Sequence, residues 1–225
     1  MLTVNELYDL SHSLAGNYLK QFTYPWEALA GISDLILEIG KQLPEDEYVH
    51  PTDWDGNVLE DVWVAKDATV FKTAYLHGPC IIGHRTEVRQ CAFIRGSALV
   101  GNDCVVGNST ELKNVILFDN VQVPHYNYVG DSILGYKSHM GAGSITCNYD
   151  GVHKHKTVIG KDAFIGSDTM MVAPAQIGDG ALVAAGSVIP EPVPADALGL
   201  GRARQVNIEG WAADYRRRLH EDDEV

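Results

Sequence analysis

The sequence predicts a mainly β chain of stacked parallel coils, with helical segments at both ends. Two columns of residues and one interruption carry that prediction. A large apolar residue recurs at every sixth position: Val64, Val70, Leu76, Ile82, Val88, Ile94, Val100, Val106, Leu112 and Phe118, with Pro124 closing the run. Four positions after each stands a second, mostly small residue: Ala68, Ala74, Cys80, Thr86, Ala92, Ala98, Cys104 and Thr110. A large-and-small inward pair in every repeat builds coils whose side chains stack in ladders. The register slips between Pro124 and Tyr128, resumes through Leu134 and Met140, and slips again past Gly151. It then runs Ile159, Ile165, Met171, Ile177, Val183 and Ile189, with Ala163, Thr169, Ala175, Ala181 and Ser187 as the small column. The interruption is the stretch Met140 to Lys156, where Asn148-Tyr149-Asp150-Gly151 reads as a tight turn before the basic tract Lys154-His155-Lys156. A turn that breaks a repeat lies on a surface where function collects.

In chain order, residues 1–45 read as an N-terminal helical cap. Thr3-Val4-Asn5-Glu6 fits a capping box, and Leu7, Leu10, Leu14 and Leu19 give the first helix an apolar stripe. Pro25 suits a first helical position. Trp26, Leu29, Ile32, Leu35, Ile36 and Ile39 carry a second amphipathic helix that Pro44 ends. These helices are expected to cover one end of the array or to pack on a neighbouring subunit. Residues 46–61 are an acidic connector, 62–203 the coiled body and 204–225 a helical tail. In the tail, Trp211, Tyr215 and Leu219 fall at helical spacing and can serve near the other end, before a frayed acidic terminus from His220.

Composition narrows the function classes. The chain has 225 residues, 45% hydrophobic and 21% charged, which suits a packed core. A net charge of −13 argues against nucleic acid and anionic membrane surfaces as partners. No apolar run reaches bilayer length, and the N-terminus lacks a signal-peptide pattern, so a cytoplasmic protein is expected. Cys80, Cys91, Cys104 and Cys147 lack metal-type spacing, and Cys80 and Cys104 fall on the small inward column, as core thiols in a reducing compartment would. No metal site is expected.

The six-residue pattern resembles the hexapeptide-repeat family, which implies a left-handed parallel β-helix and a homotrimer packed along the coil axes. From about Ile94 to Trp211 the resemblance becomes closer. TELKN at 110–114, HYNYVGDS at 125–132, GAGSITCNYDG at 141–151, KTVIG at 156–160, FIGSDTMMVAP at 164–174, AAGSV at 184–188 and GRARQVNIEGW at 201–211 are similar to one family domain. That domain is the glucosamine-1-phosphate acetyltransferase part of the bifunctional N-acetylglucosamine-1-phosphate uridyltransferase. Nothing here looks like the uridyltransferase half.

The resemblance implies an acetyl-CoA-dependent N-acetyltransferase acting on an amino-sugar phosphate, glucosamine-1-phosphate or a close relative, in UDP-N-acetylglucosamine biosynthesis. His125 matches the catalytic base, for which imidazole is chemically suited. Glu111 matches the carboxylate that orients it. Arg95, Lys113 and Tyr128 match residues that hold the sugar phosphate, as two cations and a phenol can. His139 stands where the family has an acceptor-contacting asparagine. Asn148 and Tyr149 match residues beside the acetyl group, where an amide and a phenol can stabilise an oxyanion. Ala142, Ser167 and Ala185 match backbone contacts along the coenzyme, and Arg202 matches the partner of a coenzyme phosphate. Two other readings stay open: an acyltransferase for a nucleotide-linked amino sugar, and a non-catalytic hexapeptide scaffold.

Overall fold

The computed structural model describes residues 2–222, and within the last helix nothing is said of side chains beyond residue 218. The body is a parallel β-helix with three flat faces. On the first face Val62 sits opposite Cys80 and Cys80 opposite Ala98, one full coil on each time. On the second, Tyr75 meets Phe93 and Phe93 meets Glu111. On the third, Thr69 meets Glu87 and Glu87 meets Val105.

The inward ladder takes a different route through the middle from the one the sequence predicts. Val100 pairs with Leu117, Val106 with Val123, and Leu112 with Val129. The slip therefore falls between Leu112 and Leu117, and Leu117, Val123 and Val129 are the ladder residues. Phe118, Pro124 and Tyr128 are not. The shortened sides are the two long strands Glu111–Leu117 and Tyr128–Leu134, which bend around a corner without a break. Asn114 and Asp131 occupy that corner at φ 56° and 49°. Asn and Asp tolerate the left-handed region better than most residues because their short side chains bond locally. The second displacement is an insertion, since Ser132 pairs with Thr157, further along the chain than one regular coil reaches.

The N-terminal segment differs more. The single helix expected over Leu7 to Leu19 is three short turns, Val4–Leu7, Leu10–His12 and Gly16–Leu19. Glu6 does close the first turn, accepting from the Thr3 amide at 2.9 Å. Asp9 then accepts from the Ser11 amide, and Ser13 Oγ from the Ala15 amide at 3.1 Å. Side chains that bond nearby backbone in this way compete with a continuing helix. Pro25 opens the next helical stretch, and the helix Ile32–Gly40 ends before Pro44 is reached.

These turns do not cover the end of the array. They lie along the first face. Trp63, Ile81, Leu99, Ile116, Ile133 and Val158 point outward there, yet all are buried. Tyr8 Oη donates to the Ile133 carbonyl at 3.2 Å. A parallel sheet covered on both sides reads as continuous apolar runs, and VWVA, CII, VIL and TVI are such runs. The strand Tyr48–Val49 completes this face, antiparallel to Val62–Ala65. At the other terminus the helix Trp211–Asp222 exposes its residues up to Arg218, so it does not serve as an end cover. Its acidic end from residue 223 lies outside the described residues.

Candidate active site

His125 ends the strand Gln122–His125 on the third face, one coil above Asn108. Its Nδ1–H donates to Asn108 Oδ1 at 2.7 Å. With the proton fixed on Nδ1, the Nε2 lone pair faces outward as a base. Glu111 does not make this contact. Its Oε1 accepts from Arg95 Nη1 at 2.6 Å, and the residue in register with His125 is Asn108. Glu111 lies past the next corner, in register with Phe93 and Tyr128.

His125 shares a groove of about 630 Å³ with His139, Ala142, Ser167 and Ala185. The His139 ring stacks flat on Phe164, 4.9 Å between centroids and 2° between planes. Burial first, and then the neighbouring His125, hold the His139 pKa below its usual value. Gly141 and Gly166 floor the groove. A Cβ on either would overlap the backbone of the coil above, at Ser167 or Ala185. Arg202 stands exposed beside Gly186, its Cδ 3.8 Å from where a Cβ would be.

The chain then turns through Tyr126, at φ 52°, onto the second face. Here Lys113, Tyr128 and Asn148 stand around Gly130, with Glu111 in register with Tyr128 and Arg95 bonded to Glu111. A Cβ on Gly130 would stand 2.5 Å from Tyr128 Oη and 2.8 Å from Asn148 Nδ2. The hub of this cluster is Asp131, to which the sequence pattern assigns no role. It accepts from Lys113 Nζ at 3.0 Å, Asn114 Nδ2 at 2.8 Å and Asn148 Nδ2 at 2.7 Å. Burial pushes the Asp131 pKa up, but these donors and the Lys113 charge outweigh it and hold the carboxyl below its ordinary value. Its stabilisation is present above the unfolded carboxylate pKa of about 3.9 and is lost as pH falls through the lower folded value. The stability gap between the parent and Asp131→Asn should therefore be open at neutral pH and close below about pH 4. Thermal melts across that range check it, and a gap independent of pH would contradict it.

Tyr149 is exposed, and its Oη donates to the Gly151 carbonyl at 2.6 Å within its own turn. Asp150 braces that turn, accepting from the Val152 and His153 amides and from His155 Nε2 at 2.7 Å. The residues missed from sequence are thus Asn108, Asp131 and Asp150. Asn108 and Asp131 can be found from coil length, since each lies one short coil from a chosen residue.

Known proteins match this body. A family model described as bacterial transferase hexapeptide, six repeats, covers residues 156–191, and the GMPPB C-terminal domain model covers 76–149. Hexapeptide repeats are thus matched over residues 156–191. The chain is 48% identical over 159 residues to a bifunctional protein GlmU of Jannaschia sp. strain CCS1, covering 71% of this chain and 35% of that protein. A bifunctional protein GlmU of Stutzerimonas stutzeri strain A1501 is 44% identical over 178 residues, covering 79% and 38%. The chain thus spans about a third of the length of the curated relatives it matches. A solved acetyltransferase domain of PglB from Neisseria gonorrhoeae aligns at 20% identity with a TM-score of 0.38, over 65% of this chain and 58% of that one.

Proposed function

We propose that this chain is an acetyl-CoA-dependent N-acetyltransferase whose acceptor is an amino-sugar phosphate, glucosamine-1-phosphate or a close relative. The observation that carries the reading is the pairing of His125 with its groove. A histidine with Nε2 free stands beside a small-residue edge at Ala142, Ser167 and Ala185. That edge, floored by glycines that admit no side chain, fits the narrow arm of a coenzyme thioester. Around the corner, Arg95 and Lys113 offer a phosphate the guanidinium and ammonium donors that Glu111 and Asp131 leave unused.

In this reading His125 Nε2 takes the proton of the acceptor amine as its nitrogen adds to the thioester carbonyl. Collapse breaks the carbon–sulfur bond, and the coenzyme leaves as a thiol with that proton. Asn148 is the amide available to the oxyanion, and Asp131 holds its side chain still. Arg202 is the cation at the coenzyme end. A homotrimer in the cytoplasm belongs to the same proposal, with sites at clefts between subunits. Support comes from the exposed row Phe164, Leu182 and Leu198 beside the groove, which a second copy would cover. Among the described residues no helix is long and apolar enough to cross a membrane.

Thiol release from acetyl-CoA should depend on added glucosamine-1-phosphate. Sedimentation should give three times the 24.6 kDa chain mass. No acceptor-dependent release from any amino-sugar phosphate would leave the scaffold reading standing.

A further inference from the structure

The second face carries two columns that the reaction above does not use in full. Strand register stacks Tyr75, Phe93, Glu111 and Tyr128 in one outward column. The neighbouring column, two residues on in each strand, is His77, Arg95 and Lys113. Three aromatic rings therefore run beside three basic side chains, on a chain of net charge −13. Tyr75 and Phe93 are 46% and 40% exposed, and Trp54, from the connector, is 77% exposed. The rings touch edge to face, with Trp54 6.2 Å from Tyr75 and Tyr75 5.7 Å from Phe93. The Arg95 guanidinium stands 6.0 Å over the Phe93 ring. A pocket of about 390 Å³ opens at the far end of this row, lined by Trp54, Tyr75, Asp61 and Thr52.

We propose that this strip binds a nucleoside diphosphate, so that the acceptor is an amino sugar linked to a nucleotide. The proposal rests on the N-acetyltransferase reading and names the group carried beyond the sugar's first phosphate. Order along the axis supports it. From the coil of His125 and Tyr128 the strip passes Lys113, then Arg95, then Phe93 and Tyr75, and ends at Trp54. An amine held at His125 thus puts its phosphates on Lys113 and Arg95 and its base on the rings. The span is three strand spacings, about 14 Å at ~4.8 Å each. Arg95 gives Glu111 only its Nη1, and Lys113 gives Asp131 one of three protons, so both keep donors for phosphate oxygens. Asp61 and Thr52 in the end pocket can accept from ribose hydroxyls or a base N–H. Aromatic faces stack any base, so the strip sets the class of ligand and not the base.

The test uses the full chain. UDP-glucosamine and glucosamine-1-phosphate are compared as acceptors with acetyl-CoA, and UDP alone is titrated by calorimetry. The KM for UDP-glucosamine should be lower by about tenfold or more, the scale of one stacked base. In Tyr75→Ala/Phe93→Ala that advantage should disappear, with the KM for glucosamine-1-phosphate and both turnover numbers kept, and UDP should bind about tenfold more weakly. Equal KM values in the parent would overturn the proposal. So would a double variant that raises both KM values alike, or one that breaks the assembly, which would make the row a subunit contact. If neither acceptor is acetylated, the enzyme reading fails by itself, and UDP affinity still decides the strip: loss in the double variant supports it, and no binding to the parent overturns it.

Discussion

His125→Ala is expected to lower the turnover number of acetyl transfer by about 10²–10⁴-fold, the usual worth of a positioned general base. Coenzyme affinity and assembly should be nearly unchanged, because the side chain is exposed in the groove and supports no core. The hydrogen bond to Asn108 gives the prediction a second arm. Asn108→Ala removes the acceptor that keeps the proton on Nδ1, so the ring can adopt the tautomer with no lone pair on Nε2. Its loss should be smaller than that of His125→Ala and fall on turnover rather than KM. Steady-state rates at saturating acetyl-CoA check all of this. Near-parental turnover in His125→Ala would remove the histidine from the chemistry.

How legible the molecule is in its sequence depends on coil geometry. The ladders are plain because most sides of the coil have the same length, and the inward pair repeats with it. Where one side is a residue short, periodicity cannot choose: Val115, Ile116, Leu117 and Phe118 are all apolar and all buried, so stepping by six lands on Phe118. The partner of His125 is a separate matter, because Glu111 follows from the family resemblance and no coil length puts it in register with the histidine. The shortened coil brings Asn108 beneath the histidine, whereas the Glu111 carboxylate is already around the corner on another face. The packing of the N-terminal segment is written in the outward positions Ile81, Leu99 and Ile116, which are apolar where a solvated face would alternate. Its breaks at Asp9 and Ser13 are less visible, since an apolar stripe says which face is buried but not whether the helix continues. Asp131 is hidden for a different reason. A carboxylate at a corner reads as turn chemistry until the coils above and below supply Lys113, Asn114 and Asn148.

Gly107→Ala should both destabilise the fold and impair the site, although position 107 makes no contact with a substrate in any reading above. Gly107 sits in the strand Val105–Asn108, one residue before the partner of His125. A Cβ there would overlap the carbonyl oxygen of Pro124, one residue before His125 itself. The obstacle is backbone on the neighbouring coil, so no side chain can swing away to make room. The strands must separate locally, and an inserted methyl in a packed interior costs about 1–3 kcal/mol. Relief by that separation pulls Asn108 and His125 apart, because their pairing spans the same gap between coils. The expected result is a lower urea midpoint together with a fall in turnover toward that of Asn108→Ala. Gly143→Ala is the contrast one coil above, next to Ala142 of the groove, where the Gly143 amide donates to the His125 carbonyl at 3.0 Å. It meets nothing closer than 3.9 Å, so only its backbone at φ 73° carries a cost, and the His125 pairing should survive. Denaturation midpoints and acetyl-transfer rates on the two variants separate these effects. A Gly107→Ala protein of parental stability and rate would show that the coils at His125 are looser than the structure makes them.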